Sequence, residues 1–324
     1  MTVDDSDEAS WSQFWASGSL TAFYGQSDNY SPEFIAFWRD VLAEPVDRII
    51  DLGCGNGALT WIVDEIVNQP EATTEICGID LAAIEPFAAL KKDRRDYPKV
   101  SFFGDTSITA MPFETDSVDI AVSQYGIEYS DIVSVLPELE RVLKPEAKLA
   151  FIMHDEQSAI LSSMGYTARG IEFLFQSGGY YDGLFRLDKI QNKKKNVKKL
   201  QADPEYRKTV RKLQQIKRSV EGFPPPLRDF LMQHIKGTNR LFAKGLPLKS
   251  QNRRHLIKKR RRLLEGTLTR YSELTQAALS RAQYENLIGQ VEQEGFTLVQ
   301  SGNFMHKIDS KTTTNMGWIL VAER

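Results

Sequence analysis

Two cysteines in 324 residues are too few for the disulfide framework of a small secreted domain. Neither Cys54 nor Cys77 has a histidine close by in sequence, so no zinc or other metal site is expected, and both read as reduced packing residues. No run of about 18 apolar residues occurs, which argues against membrane insertion. The opening stretch carries Asp4, Asp5, Asp7 and Glu8, where a signal peptide would place basic residues and then an apolar core. The expected location is therefore cytoplasmic. No internal repeat is present, so a repeat architecture is not expected. What the chain does have is 41% hydrophobic residues, enough for a sizeable core in one large domain or in a domain with a substantial insertion.

The net charge of -2 hides a strong asymmetry. Arg186–Arg262 holds 25 lysines and arginines against 5 acidic residues, a surplus of 20, and the remainder carries a deficit of 22. Such a block points to an anionic partner or to attraction between the two parts of the chain.

Residues 1–45 begin acidic and then gather aromatics, among them Trp11, Trp15, Tyr24, Tyr30, Phe34 and Trp38, with Ser31-Pro32 as a helix start. A short helical cap is expected there, and Tyr24 and Tyr30 are placed either to pack it or to close over a ligand. From Arg48 to Met153 the patterns alternate. Strands read at Arg48–Leu52, Ile76–Asp80, Val100–Phe103, Val118–Ser123 and Leu149–Met153; helices read from Ala58, over Ile84–Asp96 and over Asp131–Leu143. This predicts right-handed crossovers and a mostly parallel sheet. After His154 the alternation stops, and residues 155 to about 280 read as helical. Asp203-Pro204 opens one helix, Gly222–Pro226 ends it, and Ser280-x-x-Gln283 resembles a capping box. Phe296–Phe304 and Trp318–Ala322 then read as two more strands across a polar turn, Asp309–Asn315.

The sharpest local signal is Ile49-Ile-Asp51-Leu-Gly53-Cys-Gly55-Asn-Gly57 ahead of a helix. Its glycines allow a tight turn and let backbone amides approach a ligand without Cβ obstruction. The spacing departs from the dinucleotide pattern G-x-G-x-x-G, and an acidic residue two positions upstream suits a cationic group better than a pyrophosphate. Here the chain resembles motif I of the class I S-adenosylmethionine-dependent methyltransferases. The resemblance covers about residues 45–154 and the two last strands, and its small-molecule branch is suggested by Met111-Pro-Phe113 and Tyr125-Gly-Ile-Glu-Tyr129. It implies an α/β, Rossmann-like, seven-stranded, mostly parallel sheet with helices on both faces and a helical insertion between strands five and six. The implied domains are a cap at 1–45, a core at 46–154 plus 281–324, and a basic insertion at 155–280 that is a lid or a partner-binding element.

By the same resemblance the cofactor is S-adenosylmethionine. Asp51 with Gly53, Cys54, Gly55, Asn56 and Gly57 would hold its amino-acid part, with Cys54 acting as a spacer. Asp80 and Leu81 would meet the ribose, Asp105 and Thr106 the adenine, and Gln124 and Tyr125 the methionine side. Methyl transfer from a sulfonium is an in-line displacement in which the protein chiefly aligns the acceptor and excludes water. A base is required only for an acceptor that is protonated at neutral pH. Candidates are Tyr125 and Glu128 on the loop after the fourth strand, with Tyr129 beside them, and His154 with Asp155 after the fifth; each could equally be a packing, capping or solvated residue.

The basic insertion leaves the substrate class open. The preferred reading is a small-molecule acceptor, an anionic one included. An RNA methyltransferase is the alternative, with Lys193–Lys199 and Arg253–Arg262 on phosphates. A pI near 6 and the absence of an Asn/Asp-Pro-Pro-Tyr segment stand against RNA. A cofactor-binding adaptor without catalysis is the third reading, and the oligomeric state is left open.

Overall fold

The computed structural model describes residues 5–22, 30–68, 73–193, 197–242, 250–307 and 312–324. Tyr24, Lys194, Lys195 and the first part of the Asp309–Asn315 turn lie outside the described residues. In chain order the elements are α1 (Asp5–Trp15), α2 (Pro32–Val41), β1 (Arg48–Leu52), α3 (Ala58–Val67), β2 (Glu75–Ile79), α4 (Pro86–Ala89), β3 (Val100–Phe103), β4 (Val118–Gln124), α5 (Ile132–Val142) and β5 (Leu143–Met153). Then follow α6 (Ala159–Phe175), α7 (Tyr180–Lys193), α8 (Val197–Ala202), α9 (Pro204–Ser219), α10 (Pro225–Asn239), α11 (Ser250–Ala277), α12 (Arg281–Gln293), β6 (Thr297–Lys307) and β7 (Thr313–Glu323). The chain divides into two compact units, Met1–Leu161 with Glu273–Arg324, and Ser162–Ser272.

The first unit is built on one seven-stranded sheet of order β3-β2-β1-β4-β5-β7-β6. β3, β2, β1, β4 and β5 pair in parallel, and β7 runs antiparallel to both its neighbours. Successive side chains of a strand face opposite sides, and here both sides are buried. Ile50 and Leu52 join one apolar cluster, whereas Ile49 joins the other with Ile76, Ile120 and Ile152. Helix α5 shows how the faces are covered: Ile132, Val135, Leu136, Leu139 and Val142 recur at helical spacing and all are buried. Helix α2 begins at Ser31-Pro32 as expected and buries Phe34, Trp38 and Val41.

Two elements differ from expectation. Instead of one helix over Ile84–Asp96, the chain forms only the four-residue α4 and a separate 3-10 turn at Arg94–Asp96. Lys91 adopts a left-handed φ of 55°, which ends the helix, and the Asp93 carboxylate accepts from the Arg95 amide to start the next turn. β5 begins at Leu143, directly off α5, and slips register between Val118 and Ile120 before the expected segment Leu149–Met153.

The second unit is helical, with its own core of Ile171, Leu174, Tyr180, Tyr181, Leu184, Leu231, Ile235 and Ile257 among others. Within it α9 turns Thr209 inward, with Val220 buried just beyond its end, and exposes Arg207, Lys208, Arg211, Lys212, Lys217 and Arg218.

Candidate active site

At the carboxyl end of β1 the chain turns through Gly53, Gly55 and Gly57, with φ of 71°, 53° and 79°. These are left-handed conformations that cost an L side chain energy. A Cβ on Gly53 would also stand 2.8 Å from the Gly126 Cα, and one on Gly126 would stand 2.6 Å from the Leu52 carbonyl oxygen. The loops after β1 and β4 therefore touch backbone to backbone. Ser123 pins them further: its hydroxyl donates to the Leu52 carbonyl at 2.7 Å and accepts from the Ile127 amide at 2.9 Å.

Two carboxylates end β1 and follow β2. Asp51 is 1% exposed and accepts from the Thr60 hydroxyl at 2.6 Å. Burial pushes its pKa up to about 7, and no cation among the described residues forms an ion pair with it. Asp80 accepts from the Gly55 amide at 2.7 Å and the Ala82 amide at 2.8 Å, and burial raises it to about 6. A buried carboxylate without a cation is costly. An ammonium at Asp51 and hydroxyl donors at Asp80 would offset that cost, so the pair fits the amino-acid and ribose parts of S-adenosylmethionine. Leu81, 39% exposed, offers an apolar surface beside Asp80. Asp105 is exposed with a φ of 50°, its amide donating to the Ala82 carbonyl; Thr106 donates through its amide to the Asp80 carbonyl.

Cys54 is buried and its thiol is pushed well up by desolvation, which suits a spacer and not a nucleophile. The Asn56 side chain is committed in part: Nδ2 donates to the Trp15 and Ser19 carbonyls, both at 2.8 Å, while the buried Oδ1 has no partner among the described residues.

The remaining candidates meet at the carboxyl ends of β4 and β5. Gln124 is buried; its Oε1 accepts from the Trp38 indole, and its Nε2 finds no partner among the described residues. Tyr125, with a φ of 59°, stacks on His154 at 4.4 Å and 14°, and its hydroxyl donates to the Met316 carbonyl at 2.8 Å. Glu128 is 5% exposed; Oε1 accepts from the His154 amide at 2.7 Å, Oε2 has no partner among the described residues, and burial raises the carboxyl to about 7. His154 is 4% exposed, is lowered to about 3 by burial, and leaves Nδ1 without a partner among the described residues. It is thus neutral at ordinary pH. Tyr129 lies edge-on to His154 at 6.1 Å. Tyr30 lies 5.3 Å from Phe34, which in turn lies 6.1 Å from Tyr125.

Asp155 has a structural task instead. Its carboxylate accepts from the Asn303 and Asn315 side-chain amides and the Gln157 amide, so it ties the β6–β7 hairpin to the end of β5. Trp11, Trp15, Ser123 and Gly126, read from the sequence as cap, strand or loop residues, also make contacts across long stretches of chain.

The RNA-contact candidates divide. Arg253 is buried, with Nε donating to Asp188 at 2.7 Å and its guanidinium over Phe242, so it is unavailable to phosphate. Arg261 pairs with Glu265 at 2.9 Å. Lys193, Lys198, Lys199, Arg254, Lys258, Lys259 and Arg262 are exposed.

Residues 50–151 match the model of a methyltransferase domain. A 2-phytyl-1,4-naphtoquinone methyltransferase of Trichormus variabilis is 32% identical over 112 residues, 34% of this chain and 48% of that one. An uncharacterized methyltransferase of Schizosaccharomyces pombe is 29% identical over 133 residues, 41% and 49% of the two chains. A SAM-dependent methyltransferase structure from Aquifex aeolicus aligns over 91% of this chain and 99% of that one, with 12% identity and a TM-score of 0.40. The chain spans about half the length of the curated relatives it matches. That family match lies over the glycine turn and both buried carboxylates, so residues 50–151 are similar to a methyltransferase domain.

Proposed function

We propose that the chain methylates a small, flat acceptor carrying an acidic O–H or C–H, with Glu128 taking the proton. The observation that carries this is the Glu128 carboxylate: buried, with Oε1 held by the His154 amide, Oε2 without a partner among the described residues, and its pKa raised by burial to about 7. General bases work best with a pKa near the working pH.

Bound S-adenosylmethionine would supply a methyl group on a sulfonium centre. Asp51 would take the ammonium of that cofactor, Asp80 its ribose hydroxyls, and Gln124 Nε2 a neighbouring acceptor atom. Tyr30, Tyr125, Tyr129 and neutral His154 form an aromatic surround that suits a ring and excludes water from the proton being moved. As Glu128 Oε2 receives the proton, the acceptor becomes anionic and more nucleophilic. The quinone named for the Trichormus variabilis relative is a ring of this kind. The exposed cations of α9 and α11 support a second reading, a polyanion such as RNA.

The test uses methyl-labelled S-adenosylmethionine with a panel of reduced naphthoquinones and phenols, and with total RNA in parallel. Label in a ring acceptor, with a rate that rises through a midpoint near pH 7, supports the proposal. Label confined to RNA overturns it.

A further inference from the structure

The loops after β1, β2 and β4 form the proposed cofactor cleft, and α1 touches all three. The Trp15 indole lies against the loop after β1, so close to Gly55 that a Cβ there would stand 2.5 Å from its ring. Asn56, wholly buried in that loop, holds the carbonyls of both Trp15 and Ser19. In the loop after β2, the Ala83 amide donates to the Ser12 hydroxyl at 3.0 Å. In the loop after β4, Tyr129 meets the Trp11 ring edge-on at 5.7 Å. Trp11 and Trp15 stack on each other and pack with Cys54, Ala82 and Ile84.

A helix of 11 residues is marginal in water on its own, so these few contacts decide where α1 sits. Immediately after it Gly18 adopts a φ of 82°, a conformation in which the chain reverses without strain. Trp15 thus lies against Gly55 in the turn that borders the proposed cofactor cleft.

We propose that α1 is a lid on the cofactor cleft, hinged after Trp15, and that Asn56 is the positioning residue that latches it shut. The inference rests on the S-adenosylmethionine reading of the cleft. It replaces the expected role of Asn56, a direct cofactor contact, with control over entry and exit. A closed lid excludes water during transfer, and an open one exchanges spent cofactor.

The experiment measures association and dissociation rate constants of tritiated S-adenosylmethionine for the full chain, Asn56→Ala and Ser12→Ala. Losing the latch raises both constants together, roughly tenfold for Asn56→Ala, the factor that corresponds to one or two hydrogen bonds of net stability. Ser12→Ala, at an exposed contact, raises them by a smaller factor and serves alone if Asn56→Ala does not fold. Deuterium exchange over the amides of α1 accelerates in the same order. A weaker Kd with an unchanged association rate would make Asn56 a direct contact and overturn the lid. Unchanged rates and exchange in both variants overturn it as well. Failure of the wild-type chain to bind S-adenosylmethionine overturns the cofactor reading instead.

Discussion

Glu128 and His154 share one hydrogen bond yet are driven in opposite directions by the same burial, the acid up and the base down. Both are therefore uncharged over much of the mildly acidic range, and only Glu128 changes state near neutrality. Replacing Glu128 with Gln should lower kcat by about 10²- to 10⁴-fold and flatten the pH profile, while the S-adenosylmethionine Kd from calorimetry stays put. Asp51 makes a separate statement about stability. Its ordinary value is 3.8 and its folded value is about 7, so between those pH values the folded state holds a proton that the unfolded state has released. Stability of the ligand-free chain from this group falls as pH rises through that window and is level on either side of it. An ammonium seated at Asp51 cancels the penalty. The rise in Tm on adding S-adenosylmethionine should therefore be larger at pH 8 than at pH 5, and Asp51→Asn should erase the difference in a thermal scan.

Elements place these residues through contacts that local patterns reveal only in part. The strands of the sheet and the glycine turn after β1 are legible because their signals are contiguous: short segments dense in Ile, Val and Leu, then glycines whose φ values demand them. The meeting of Gly53 with Gly126 is not legible, since three strands separate those loops in sequence and only the sheet order sets β1 beside β4. Adding a methyl at Gly126 should be costly, about 1–3 kcal/mol by urea titration, because the neighbours it meets are backbone. Ser280 is the opposite case, a local signal that the structure repeats in full. Its hydroxyl accepts from the Gln283 amide, and the Gln283 side chain accepts from the Ser280 amide. Ser280→Ala should cost about 1 kcal/mol in the same titration. Arg253 is a signal that misleads by its company. It sits in a basic run, but with Ile257 and Leu264 it recurs at helical spacing along the buried face of α11. Periodicity, not charge, was the informative pattern there.

For the whole molecule, two compact units imply two cores that can fail separately. All five tryptophans, at positions 11, 15, 38, 61 and 318, belong to the first unit. Their fluorescence reports that unit alone, whereas helix circular dichroism reports both. Arg253→Ala removes the buried guanidinium that donates to Asp188 at 2.7 Å, a loss of about 3 kcal/mol in the second unit. The dichroism melt of this variant should begin well below its fluorescence melt; coincident melts would mean that the units unfold as one.

The reversed strand β7 has a consequence for biosynthesis. It pairs with β5 through Lys148–Met153, but residues 154–312 are made between them. Throughout that interval the nascent sheet presents the edge of the apolar half of β5, Leu149–Met153, the kind of edge that recruits strands from other chains. A released chain stopped short of Thr313 should therefore draw chaperones and aggregate, whereas a released chain that includes Thr313–Glu323 should not.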